Sequence, residues 1–420
     1  MTVRHVPRAR GSLTGRAALV VVFLLVVCAP LARAAVPPVP DQDRFYAVPD
    51  GIGGLPNGAI LDSRRITAYS GPLSMPASAW QVKYKTLDNQ GAPTATVTTV
   101  LIPDSPWTGR GPRPLVSYQV AEDGVGSKCS ASYALSAGVR PGSQSLTGNA
   151  AAETVLMRLA LERGWAVAAP DYEGPRSEFL GADLEAREVL DGIRAATRFG
   201  PAGISSQAPI ALWGYSGGAL ASALAAQLQP GYAPDVKLAA IALGGAVGDL
   251  KATLDAFDRL GLGGAAVVGF IGLDRAHPDA QLEQHLNAEG KRAFAASQSD
   301  CLAEGMLRHP GQTSASFVSS PDFLEGPLLT TLLRESSPLG RSGNPGAPVY
   351  DYHATQDELA PIGSDRELMA RYCAAGVPVQ HVEFPGEHLS EVAIGSSGAL
   401  SYLADRFAGL PPPSNCGVQG

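Results

Sequence analysis

The chain has 420 residues, 45% hydrophobic and 17% charged, with a formal net charge of −7. These values exclude a disordered chain, which would be polar and highly charged, and a minimal domain that depends on staples. No basic excess marks a nucleic-acid surface. With 48 Gly and 34 Pro but no G-X-Y period, the composition indicates a loop-rich globule. The length suits one large domain with an insertion, or two domains.

The amino terminus reads as an address. Arg4, Arg8, Arg10 and Arg16 precede an apolar run from Ala17 to Ala29, and Ala32-Arg33-Ala34 follows as an A-x-A site. Residues 1–34 are therefore predicted to be a signal peptide cleaved after Ala34. The apolar run is short for a membrane span, and no second stretch of spanning length follows, so no transmembrane anchor is expected after processing. Cleavage would remove five arginines and no acid, taking the net charge to −12. Secretion implies an oxidising compartment. Four cysteines remain, Cys129, Cys301, Cys373 and Cys416. An even number without C-x-x-C spacing reads as two disulfides, for which three pairings are open.

Residues 35–75, rich in Pro and Gly, read as an extended arm. Trp80 to Thr86 alternates as a half-exposed strand, and Asp88-Asn-Gln-Gly turns it into a second strand, Ala95 to Ile102. Then the pattern changes. Apolar runs at 114–120, 165–169, 210–213 and 238–243 alternate with helical stretches at 154–163, 185–199 and 219–228. Strand-helix alternation predicts right-handed crossovers and a parallel sheet. Two further strands are expected at 348–353 and 379–384. The interval 249–337 breaks the rhythm with helices and loops, and reads as a helical cap inserted into a core of 35–248 and 338–420.

Gly214-Tyr215-Ser216-Gly217-Gly218 sits between a buried strand and a small-residue helix. G-x-S-x-G alone is a weak signal. At a strand-to-helix elbow it presents a serine hydroxyl above the sheet edge, with glycines letting strand and helix approach. A serine needs a base to become a nucleophile, and the chain order for this architecture is Ser, acid, His. Of the histidines, His277, His285 and His309 fall in the insertion, and His353 and His381 fall within strands. His388 follows a strand, at the carboxyl edge of the sheet, and is the candidate base with His353 as its rival. Asp357 follows the penultimate strand and is the candidate acid, ahead of Glu358 and Asp351. Gly217 is expected to supply one oxyanion N–H and Asp123, in the loop Gln119 to Gly126, the other. No H-E-x-x-H, P-loop or strand-following G-x-G-x-x-G occurs, so neither metal nor cofactor is expected.

Several segments together resemble the secretory lipase family of α/β-hydrolases, the yeast lipase A type. They are Ser117-Tyr118-Gln119 with Glu122-Asp123 and Cys129, Pro170-Asp171-Tyr172-Glu173-Gly174, Leu190 to Ala195, and the serine motif. Ala276-His277-Pro278-Asp279, Asp357-Glu358-Leu359-Ala360-Pro361 and Glu387-His388-Leu389 complete the set. The resemblance implies an α/β-hydrolase with a mostly parallel sheet flanked by helices. It implies hydrolysis of carboxylic esters, chiefly acylglycerols, by a triad of Ser216, Asp357 and His388. It also implies oxyanion donors at Asp123 and Gly217, a lid in the insertion, and disulfides Cys129–Cys301 and Cys373–Cys416. The expected partner is a lipid or small-molecule ester. An acyltransferase would share the acyl-enzyme and differ only in its acceptor.

Overall fold

The computed structural model of the protein describes residues 1–2, 36–144 and 150–417. The predicted signal peptide lies outside the described residues, Met1 and Thr2 apart. In chain order come β1 (Ile60–Ile66), β2 (Tyr69–Ser70), β3 (Leu73–Ser74), β4 (Ala77–Leu87), β5 (Pro93–Pro103) and β6 (Leu115–Gln119). Two helices follow, α1 (Ala131–Ala137) and α2 (Ala150–Glu162). Strand and helix then alternate through β7 (Ala166–Pro170), α3 (Ala182–Arg198), β8 (Ile210–Tyr215), α4 (Gly217–Tyr232) and β9 (Leu238–Gly244). Helices α5 (Leu250–Arg259), α6 (Gly264–Ala276), α7 (Ala288–Ala296), α8 (Leu302–Arg308) and α9 (Pro327–Glu335) fill the interval before β10 (Val349–Ala354). The chain closes with α10 (Ile362–Ala374), β11 (Val379–Phe384) and α11 (His388–Phe407).

Nine strands form one sheet in the order β1-β4-β5-β7-β6-β8-β9-β10-β11. The contacts β1/β4, β4/β5 and β5/β7 are antiparallel, and every pairing from β7 to β11 is parallel. β6 to β9 read as near-continuous apolar runs because helices cover both faces. Alternate residues still go to opposite sides. Leu115 and Leu212 join the core beneath α3 and α4, whereas Val116 and Trp213 join the core formed with α2 and α11.

The arm predicted over 35–75 needs correction. Residues 60–66 form edge strand β1, paired to β4 with Ser63 opposite Val82. Its Asp62, Arg64 and Arg65 and its mostly exposed side chains disguise it. Charge on an edge strand guards against pairing with other chains, and it also removes the apolar alternation by which strands are read. Helix α1 also escaped the sequence reading.

Both disulfides have the pairing that the resemblance implied, Cys129–Cys301 and Cys373–Cys416. The first joins the loop after β6 to the start of α8. There Gly124 bridges Cys301, and Leu302 N–H donates to Asp123 O at 2.7 Å. In the chain-entropy picture loops this long contribute about 5 and 4 kcal/mol. Among the described residues no helix is long and apolar enough to cross a membrane.

Candidate active site

Parallel strands bring the loops that follow β6, β8, β10 and β11 to one rim of the sheet. Ser216 is the turn between β8 and α4. Its φ of 54° and ψ of −121° are rare for a residue with a Cβ, and its N–H donates to Gly244 O at 2.8 Å. A side chain at Gly218 would collide with Gln119 O, and one at Gly214 with Gly218 O. The motif glycines are therefore required by the closeness of β6, β8 and α4.

His388 opens α11 four residues beyond the end of β11. Its Nε2 lies 2.9 Å from Ser216 Oγ, and its Nδ1 lies 2.6 Å from Asp357 Oδ2. Asp357 Oδ1 accepts from the backbone N–H groups of Leu359 and Ala360, at 2.9 and 2.7 Å. Burial opposes ionisation of this carboxyl, but hydrogen bonds from His353 and His388 overcome it and hold it well below the usual carboxylate range. Glu358, the neighbouring acid, accepts instead from the His388 backbone N–H at 3.1 Å. Tyr215 Oη donates to His388 O at 2.5 Å. The imidazole is thus oriented from both sides.

Asp123 has a φ of 38° and packs against Gly217, where a Cβ would collide with Asp123 Oδ1. Both residues border the same cavity as Ser216 and His388. The cavity has a volume of about 330 Å³. Its walls are mainly apolar, and Leu250, Gly269, Phe270 and Leu333 of α5, α6 and α9 are among the residues that line it. The structure therefore brings Ser216, His388, Asp357, Asp123 and Gly217 together.

This arrangement has a counterpart in known proteins. The profile of the secretory lipase family matches residues 139–415, most of the chain. The chain belongs to the secretory lipase family. It is an ester hydrolase of the lipase type. A probable inactive lipase of Mycobacterium tuberculosis is 35% identical, over 91% of this chain and 85% of that one. Lipase 5 of Candida albicans is 32% identical, over 94% and 87%. A secreted triacylglycerol lipase of Malassezia furfur is 31% identical, over 90% and 82%. Among solved structures, Candida antarctica lipase A superposes with a TM-score of 0.82 at 29% identity, covering 91% of this chain and 90% of that one.

In this member of the family the loop after β6 rests on buried acids to which the sequence reading gave no role. Glu153 accepts from Tyr118 Oη at 2.7 Å and from Ala121 N–H at 3.0 Å. Glu122 accepts from Ala131 N–H, Asp171 from Ser132 N–H and Glu173 from Gly124 N–H. Burial pushes Glu153 up to about 8 and Asp171 up to about 7. Asp171 and Glu173 lie in the Pro-Asp-Tyr-Glu-Gly segment that carries part of the family resemblance, which was the available signal.

A second polar group lies next to Asp357. Asp351, Asp365 and His381 bring three ligand-type atoms within 4.8 Å of one another. His381 Nδ1 sits 2.5 Å from Asp351 Oδ2, and its Nε2 sits 3.0 Å from Glu383 Oε1. Two ligands on one zinc ion, each about 2.0–2.2 Å from it, would stand roughly 3.3 Å apart. The spacing is that of hydrogen bonds.

Proposed function

We propose that this protein is a secreted serine lipase or esterase that cleaves acylglycerol-type esters through an acyl-enzyme. The Ser216–His388–Asp357 chain of hydrogen bonds carries the reading. Ser216 Oγ attacks the ester carbonyl as His388 Nε2 takes its proton, and Asp357 holds the imidazole in the matching tautomer. The backbone N–H groups of Asp123 and Gly217 receive the oxyanion. His388 then protonates the leaving alcohol. Water, deprotonated by the same imidazole, releases the acid and restores the serine.

Export is supported by the 1–34 pattern, the two disulfides and the family. The apolar cavity suits an acyl chain, and the insertion, whose helices α5, α6, α8 and α9 line it, is read as a lid. The Mycobacterium relative is named as inactive. The present chain has all three functional groups within hydrogen-bond distance, which supports turnover. A fluorophosphonate probe tests this directly: a single adduct on Ser216 is expected, blocking hydrolysis of p-nitrophenyl esters. An unlabelled, folded protein would remove the serine mechanism. Transfer to an added alcohol outpacing hydrolysis in water would favour the acyltransferase reading instead.

The cavity leads to a second prediction. A Cβ on Gly269 meets only Leu180 Cδ1, at 3.6 Å, so a side chain fits on the backbone and projects toward the cavity. Gly269→Leu is expected to cut kcat/KM for a C12 ester by about tenfold or more, which corresponds to about 1.4 kcal/mol, while acetate ester turnover falls much less. Equal losses on both esters would show that the wall does not hold the acyl chain.

A further inference from the structure

Asp357 faces two histidines. His353, the fifth residue of β10, is completely buried, and its Nε2 lies 3.4 Å from Asp357 Oδ2, the same oxygen that His388 Nδ1 approaches at 2.6 Å. Nε2 also lies 2.8 Å from Ala360 O. A carbonyl only accepts, so Nε2 carries a proton. On the other side of the ring, Nδ1 has no hydrogen-bond partner among the described residues and lies 3.5 Å from Asp365 Oδ2. A neutral ring with its proton on Nε2 would aim a lone pair at that oxygen, two acceptors facing each other at a buried site. A proton between Nδ1 and Asp365 Oδ2 removes the conflict, and the cluster of acids around the ring places it on Nδ1.

The surroundings favour that proton. Asp351 lies on the same strand, Asp357 on the following loop, Asp365 on α10 and Glu391 on α11. The other ionisable bases are His388 and His381, and His381 is already matched with Asp351 and Glu383. Burial alone would lower the pKa of His353, but the hydrogen bond to Asp357 and the charges of Asp365 and Asp351 push it up to about 10. Burial and the neighbouring Asp351 push Asp365 upward while the charges of His353 and His381 pull it down, so Asp357, held well below the usual carboxylate range, is the main counter-ion of His353.

We infer that His353 is an imidazolium that shares Asp357 Oδ2 with His388 and acts as a positioning residue for the acid of the triad. The inference rests on the triad reading above. A lone carboxylate beside His388 favours its imidazolium, and a base must begin neutral. A second cation on the same oxygen draws off part of that charge. Asp357 can then orient His388 without making it hold its proton too tightly. Removing the cation leaves the whole carboxylate charge to His388. The base then stays protonated to higher pH, and the acidic limb of kcat/KM moves upward.

His353→Gln tests this, because glutamine keeps an N–H for Ala360 O and Asp357 but has no charge. With p-nitrophenyl butyrate between pH 5 and 9, the acidic limb is expected to rise by about 0.5–1 pH unit. A lowered plateau with the limb in place would mean that His353 is structural only, and would overturn the inference. A measurement on the unaltered protein does not depend on the variant folding. In protein labelled with 15N-histidine, the ring of His353 is expected to carry protons on both nitrogens at pH 7, and a neutral tautomer there would overturn the inference as well. Ser216→Ala run in parallel separates the two readings. Turnover retained in that variant strikes the triad itself, whereas its loss together with an unmoved His353→Gln limb strikes only the role of His353.

Discussion

Ser216→Ala is expected to fold normally and to lose about 10⁴–10⁶-fold in kcat on p-nitrophenyl esters. The stability half of this expectation follows from the turn. Among the described residues Ser216 Oγ has one side-chain partner, His388 Nε2, and the backbone bond from Ser216 N–H to Gly244 O does not involve the hydroxyl. Alanine occupies the same unusual φ and ψ with the same Cβ, so the strain of the turn is unchanged. The catalytic half follows because no other hydroxyl in the structure is bonded to His388 Nε2 among the described residues. Residual rate would come from the oxyanion donors and substrate binding alone. Thermal melts beside initial rates check both halves together. A variant retaining more than a few per cent of activity would mean that another nucleophile, or direct attack by water, performs the chemistry.

Gly218→Ala should act on the scaffold with comparable force. Its single added methyl would collide with the carbonyl oxygen of Gln119 and lie 2.8 Å from the carbonyl carbon. Both neighbours are backbone atoms of β6, which is paired with β7 on one side and β8 on the other. Neither can swing aside as a side chain would. The conflict must separate α4 from β6 and carry Ser216 with it, at a cost of about 3 kcal/mol or more. A large drop in Tm or soluble yield is expected, with activity lost even in the surviving fraction. Gly269→Ala is the control, since its methyl meets only ordinary contact, and it should melt close to the parent protein. A Gly218→Ala variant that melts like the parent would show that the elbow has slack.

Much of the site was legible because its backbone demands are written in residue types. An elbow that allows no Cβ at positions 214 and 218 must spell Gly there, and the apolar run before it and the small-residue run after it announce strand and helix. His388 and Asp357 were placed by chain order relative to strands, and the structure puts both at the rim where those strands end. Edge strand β1 was not legible, because Asp62, Arg64 and Arg65 replace the alternation by which strands are recognised. Glu153 was equally silent, and Asp171 and Glu173 were visible only as part of a family segment, with no role attached. A carboxylate in a sequence reads as solvated, and only the packing of α2 and the loop after β7 against the loop after β6 shows that backbone N–H groups hold them. His353 read as one residue of a strand, and its contact with Asp357 exists because the chain turns back immediately after β10.

Local chemistry is carried by the chain itself: glycine where no side chain fits, apolar runs where both faces of a sheet are covered, and a nucleophile, acid and base in workable order. Those features depend on near neighbours in sequence and can be read one segment at a time. The pairing of four cysteines, the partner of Asp357 on its second side and the charge state of each interior carboxyl depend on which distant segments meet. Cys129 and Cys301 are 172 residues apart, and Ser216 and His388 are likewise 172 apart. Such contacts form only when the whole sheet closes, because burial and long-range proximity belong to the folded chain and have no local signature.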